Sequence, residues 1–281
     1  MKNIIIEQET VERFINGLIL DEKSINTVEK YRRDVNNFLV FTEGKPVSKE
    51  TVLAYKSKLL TENLSVSTVN SVLSALNSFF SFLCHPELKV KTIKKQKRIY
   101  CEEEKELTKD EYMRLCSAAQ RKNNERLYLI LQTICATGIR VSELEFITVK
   151  AVETGEAEVS LKGKTRLVFI VKQLRDKLKK YIAKAGIKEG PVFVTKTGKP
   201  ISRTNVWREM KGLCEMAAVS KKKVFPHNLR HLFARVFYEM EKDIAKLADI
   251  LGHSSINTTR IYIISTGTEH RRKMEMMRLI T

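Results

Sequence analysis

Apolar residues recur at helical spacing along nearly the whole chain, and this periodicity limits what the sequence can fold into. Within Thr10–Leu20, Val11, Phe14, Ile15 and Leu18 fall at i, i+3, i+4 and i+7. Ser24–Phe41 repeats the pattern with Val28, Tyr31, Val35, Phe38 and Leu39 on one face. Ser48 is placed to cap a third helix through Val52, Tyr55 and Leu59, and Ser67 to open a fourth through Val69, Val72, Leu73, Leu76, Phe79 and Phe80. Four such segments with short connections predict an N-terminal four-helix bundle over residues 1–90. Only 11 Gly and 5 Pro occur in 281 residues, too few for a loop-rich or all-β chain.

A change of composition separates this bundle from the rest. Residues 89–98, KVKTIKKQKR, hold six positive charges and no acid, which reads as a linker or as a strap along phosphates. We place the linker at 91–104 and a second domain at 105–281, with a basic, Met-rich amphipathic tail at about 266–281 (Met274, Met276, Met277, Leu279). Thr108 and Glu111 form a capping box that starts the second domain. Helices are expected at Glu111–Ala119, at an almost wholly apolar Glu125–Ala136 broken by Thr137-Gly138, and at Val141–Ile147. A β-hairpin is expected from Val159 to Val171, turning at Lys162-Gly163-Lys164. Further expectations are a helix at Gln173–Ala185 closed by Gly186, a short strand at Pro191–Val194, and a helix from Ser202 to about Ala218. Helices at His227–Met240, Asp243–Leu251, Ser255–Ile264 and Glu269–Leu279 complete a mainly α domain with a small antiparallel sheet.

Charge points to the partner. Lys and Arg number 51 against 33 Asp and Glu, a net charge of +18, of which the first 100 residues account for only +5. Such an excess favours a polyanion, nucleic acid before an anionic membrane surface. No apolar run approaches the ~18–20 residues that span a bilayer, and MKNIIIEQETVERF is no signal peptide. Five scattered cysteines (Cys84, Cys101, Cys116, Cys135, Cys214), never in C-x-x-C spacing, argue for a reducing cytosol. There is no G-x-x-x-x-G-K-[ST] loop and no H-E-x-x-H, so neither a nucleotide cofactor nor a metal is expected.

A few polar residues stand at structurally informative places. Arg140 follows Thr137-Gly138 at the mouth of the buried helix, either as a surface helix start or aimed into a cleft. Pro226 suits a helix N1 position, which sets His227 and Arg230 one turn apart near a helix N-terminus, a place suited to a phosphate or simply to capping. His253 follows Gly252, the expected C′ glycine of the preceding helix, and Tyr262 lies nine residues on.

Together these segments resemble the tyrosine recombinases, or phage-type integrases. The matches are ATGIRVSEL (136–144), LKGKTRLVFI (161–170), PHNLRHLFA (226–234), LGHSS (251–255) and TTRIY (258–262), in the family's order and spacing over about residues 105–265. The resemblance implies a SAM-like core-binding bundle followed by a DNA breaking-rejoining catalytic domain. It implies that Tyr262 attacks a scissile phosphate to form a 3′-phosphotyrosyl link, with neither metal nor ATP. Arg140 and Arg230 would clamp the non-bridging oxygens, which suits guanidinium forks. His227 would act as general acid/base, His253 as a phosphate donor, and Lys162, favoured over Lys164, as the acid for the leaving 5′-oxygen. Glu143 and His231 would support this set from behind.

The partner implied is duplex DNA, bound by a homotetramer on two sites with an accessory directionality factor as an optional addition. Lys94, Lys95, Arg98, Lys164, Arg166, Lys221 and Lys222 are candidate DNA contacts. Localisation would be cytoplasmic, on the nucleoid. The biological role leans to a mobile-element integrase. A Xer-like resolvase or invertase, a topoisomerase-like nicking enzyme and a non-catalytic DNA-binding regulator are the alternatives. Ile263 and Ile264 depart from the family's common Thr-His after the nucleophile.

Overall fold

The computed structural model describes residues 4–94, 103–161, 164–262, 271 and 274–277. The chain forms two compact units, residues 1–97 and 98–281.

The first unit is built from α1 (Gln8–Leu20), α2 (Ile25–Thr42), α3 (Lys49–Thr61) and α4 (Val66–Phe82). Ser48 and Thr51 form a reciprocal capping box at the start of α3. The cap of α4 is Ser65 and not the expected Ser67, because Ser65 has the extended backbone and accepts the Thr68 N–H while Ser67 already lies within the first turn. Phe14, Phe38, Phe79 and Phe80 are buried at the centre, with Phe14–Phe79 ring centroids 5.1 Å apart.

The basic stretch begins as part of this bundle. Asn77 exchanges two 2.9 Å hydrogen bonds with Val90, and Asn70 does the same with Ile93 at 2.8 and 2.9 Å. Residues 90–93 are thereby strapped along α4, which shortens the expected linker from its N-terminal side. Lys94 is exposed, whereas Lys95 and Arg98 lie outside the described residues.

The second unit is centred on α6 (Glu125–Thr137), whose Leu127, Leu129, Ile130, Leu131 and Ile134 are buried against α5 (Lys109–Arg121), α8 (Lys172–Ala185) and α10 (Pro226–Glu241). Thr108 and Glu111 make the expected capping box. Val141–Phe146 is a 3₁₀ helix, followed by α7 (Val149–Thr154). The strands β1 (Glu156–Leu161) and β2 (Lys164–Phe169) pair antiparallel from Glu156↔Phe169 to Leu161↔Lys164. Gly186 closes α8 in the left-handed conformation.

Two expectations are corrected. Pro191–Val194 is not a strand: only isolated bridges, Thr148↔Pro191 and Val194↔Pro200, form there, and Val192 and Phe193 instead plug the core. The helix after Ser202, α9 (Arg203–Lys211), stops at Gly212, a residue that costs about 1 kcal/mol in a helix. Leu213, Cys214 and Ala217 stay buried but in successive turns.

α11 (Ile244–Leu251), capped by Asp243, and α12 (Ile256–Arg260), capped by Ser255, complete the unit. Ile263, Ile264 and Leu279 lie outside the described residues, so the far ends of the two last expected helices do too; residues 274–276 are helical, and Met274, Met276 and Met277 are exposed. Among the described residues no helix is long and apolar enough to cross a membrane.

Candidate active site

Two helix C-termini converge on one buried arginine. Gly138 ends α6 and Gly252 ends α11, both in the left-handed conformation. Neither could carry a side chain: a Cβ would lie 2.4 Å from the Phe233 ring at Gly138 and 2.7 Å from Arg166 Cδ at Gly252. Arg230, on the second turn of α10 and only 1% exposed, donates from Nη1 to Gly138 O at 2.6 Å and from Nη2 to Leu251 O at 2.7 Å. A cation at these carbonyls complements both helix dipoles. Its Nε–H is buried with no protein acceptor. Burial, and then the neighbouring Arg140 charge, pull its pKa down to about 10, so it remains charged at neutral pH.

Glu143 holds the cations together. It is fully buried, takes both ends of the Arg166 fork at 3.0 and 2.7 Å, and accepts the Arg140 N–H at 2.7 Å and Arg140 Nη1 at 2.8 Å. Arg230 Nη1 lies 4.0 Å away. Burial alone would raise the carboxyl pKa, but the hydrogen bonds from Arg166 and Arg140 outweigh it and hold the group at about 2. Arg166, expected among the DNA contacts, is instead consumed by this pair and by Ile250 O at 3.2 Å.

The histidines surround Tyr262. His253 Nε2 meets Arg230 Nη2 at 3.0 Å, and since guanidinium only donates, Nε2 accepts and Nδ1–H donates to Thr259 Oγ1 at 2.8 Å. Tyr262 is 6% exposed, its ring stacked on His231 at 4.1 Å, with His227 and His253 at 5.4 and 5.3 Å. Its Oη lies 3.3 Å from His227 Nε2. Burial, with Arg230, Arg140 and Arg203 adding repulsion, lowers the His227 pKa, so the imidazole is neutral at pH 7 and can accept the phenol proton. Arg140, His227 and Arg230 line a cleft of about 620 Å³ together with Arg203 and Trp207.

This constellation brings together Arg140, Glu143, His227, Arg230, His231, His253 and Tyr262. Lys162 lies outside the described residues; it directly follows β1. Lys221 and Lys222 are exposed just before α10, and Lys164 starts β2. Thr259, Arg203 and Trp207 escaped the sequence reading. Thr259 was visible only as a polar residue one turn before Tyr262. Arg203 and Trp207 carried no signal beyond helical spacing. Among the described residues no three His, Cys, Asp or Glu side chains are grouped as metal ligands.

The histidines make stability pH-dependent. Burial, then the charges of neighbouring groups (His227 at His231, Arg230 at His253), lower His231 to about 3 and His253 to about 4 from an ordinary 6.5. Between pH 6.5 and those values the unfolded chain binds protons that the folded one refuses, so stability falls as pH drops through that window and is unaffected above it. His231→Phe keeps a ring against Tyr262 and removes one of these sites. Its Tm is expected to fall less between pH 7 and 4 than the parent's; equal slopes would contradict the assignment.

The sequence profile of the phage integrase family matches residues 105–269, and that of the phage integrase N-terminal SAM-like domain matches residues 11–87. Tyrosine recombinase XerA of Pyrococcus horikoshii is 30% identical, over 98% of this chain and 96% of its own length. Tyrosine recombinase XerD of Oceanobacillus iheyensis is 28% identical, over 90% of this chain and 92% of its own length. In fold, the chain superposes on lambda integrase, solved as a tetramer bound to a Holliday junction, with a TM-score of 0.75 at 17% identity, covering 93% of this chain and 78% of that one.

Proposed function

Because the chain belongs to the phage integrase family, the tyrosine recombinases, we propose that it is a site-specific recombinase that cuts and rejoins duplex DNA through Tyr262. The observation that carries this reading is the Tyr262 hydroxyl 3.3 Å from a neutral imidazole, beside an arginine whose Nε–H has no protein acceptor.

Tyr262 Oη attacks the scissile phosphorus and passes its proton to His227 Nε2. The P–O5′ bond breaks, and Lys162 protonates the departing 5′-oxygen. Arg140 and Arg230 hold the non-bridging oxygens, where charge accumulates in the transition state. Arg230 brings the remaining donors of a guanidinium already fixed by two helix ends, so little reorganisation is needed. A 5′-hydroxyl of the partner duplex then attacks the phosphotyrosyl bond, and Tyr262 leaves with the proton held by His227. Two duplexes and four protomers suit this exchange.

Among biological roles, the relatives that match along nearly their whole length carry Xer names, whereas the likeness to lambda integrase concerns the fold. We therefore favour a Xer-like resolvase over the mobile-element integrase to which the sequence reading leaned. Genomic DNA covalently trapped on the protein tests the choice. A single chromosomal locus carrying no mobile element is expected, whereas a locus at the end of an element would restore the integrase. Exchange between two labelled duplexes bearing that locus is expected as well; relaxation without exchange would mark a topoisomerase-like enzyme.

A further inference from the structure

Thr259 links Tyr262 to the histidine that faces the buried arginine. It stands on α12, one turn before Tyr262, and is fully buried. Its carbonyl accepts the Tyr262 N–H at 2.9 Å, and its Oγ1 lies 2.8 Å from His253 Nδ1. The other imidazole nitrogen, Nε2, faces Arg230 Nη2 at 3.0 Å. A guanidinium has no acceptor, so Nε2 is bare and the ring proton sits on Nδ1. Burial, and then the Arg230 and Arg140 charges, keep the ring neutral at pH 7. The single ring proton is thus given to Thr259, and the single bare nitrogen to the arginine.

The donors of Arg230 show what this order achieves. A guanidinium has five N–H groups. Gly138 O, Leu251 O and His253 Nε2 take three of them. Both hydrogens of Nη2 then have an acceptor, Leu251 O and His253 Nε2, which fixes the plane of the group. Its Nε–H stays without a protein acceptor.

We propose that Thr259 is a positioning residue: it holds His253 in the Nδ1–H tautomer, so that His253 orients Arg230 instead of donating to the phosphate itself. The resemblance to the tyrosine recombinases implies a donor at His253, a role Nε2 cannot fill while it accepts from the arginine. The consequence for cleavage rests on the recombinase reading; the tautomer does not.

Solid-state ¹⁵N NMR of histidine-labelled protein tells a protonated ring nitrogen from a bare one, and His253→Gln identifies the His253 signals by their loss. Spectra are recorded for the free protein and for Tyr262→Phe bound to its duplex. A protonated Nδ1 and a bare Nε2 are expected in both, and a proton on Nε2 in either overturns the proposal. Thr259→Val keeps the shape and removes the acceptor, whereas Thr259→Ser keeps the hydroxyl. In Thr259→Val the proton is expected to be shared between the two ring nitrogens. Single-turnover cleavage is expected to slow about 10-fold, the scale of one lost hydrogen bond, with DNA affinity by anisotropy unchanged. Thr259→Ser is expected to restore both the tautomer and the parental rate.

A parental rate in Thr259→Val, or a slow one that Thr259→Ser shares, contradicts the positioning role. Should Thr259→Val not fold, Thr259→Ala decides on the same two readouts. If the wild type cleaves no duplex that it binds, the recombinase reading fails, while a bare Nε2 in both states still supports the order from Thr259 through His253 to Arg230.

Discussion

Tyr262→Phe is expected to abolish covalent capture of a nicked suicide duplex while leaving DNA binding intact. The substitution removes only the hydroxyl. The ring that stacks on His231 at 4.1 Å stays, so the cluster around it keeps its packing. What disappears is the attacking oxygen and its hydrogen-bonding distance to His227. Knocking out a catalytic nucleophile lowers turnover by roughly 10⁶-fold. A denaturing gel of labelled duplex reads this directly, and a slow-migrating adduct at the parent's level in Tyr262→Phe would refute the assignment.

Arg230→Ala is expected to cost both activity and stability. Three acceptors lose their donor at once: Gly138 O, Leu251 O and His253 Nε2. Two are carbonyls at helix ends buried away from water, and each unsatisfied buried acceptor costs about 1–3 kcal/mol. Relief of the buried charge offsets part of this, so a net loss of about 3 kcal/mol is expected, measured by urea unfolding. Cleavage should fall by about 10²–10³-fold with the loss of a preorganised donor to the phosphate. Arg230→Lys should not restore either quantity, because one ammonium cannot reproduce the guanidinium fork. Wild-type stability in Arg230→Ala would show that the two helix ends do not depend on this side chain.

The helical units were legible because their signals are local. Apolar spacing located all four helices of the bundle, and Ser48, Thr108, Gly186 and Gly252 each act at the helix end their residue type suggests. Boundaries failed where two local signals competed. Ser65 and Ser67 both suit a cap, and only the backbone of Ser65 is extended there. The apolar pattern after Ser202 continued through Gly212, yet burial there is achieved in turns.

The residues around the cleft were legible through their spacing, but their partnerships were not. Glu143 and Arg166 are 23 positions apart, and in the sequence Arg166 looks like any other basic residue near a turn. Its ion pair exists only once β2 folds back onto the 3₁₀ helix Val141–Phe146 that carries Glu143. The same is true of Arg230, whose place near the start of α10 suited either a phosphate or simple capping. Burial against two carbonyls makes it also the closure of two helices.

Mapping the covalent link tests the account most directly. The adduct trapped on a suicide duplex is digested with protease and nuclease, and the nucleotide-bearing peptide is sequenced by mass spectrometry. The account predicts one modified peptide, with a 3′-phosphate joined to Tyr262 and a free 5′-hydroxyl on the released strand. A 5′-phosphate link, attachment at another residue, or no covalent species on a duplex the protein binds specifically would contradict it.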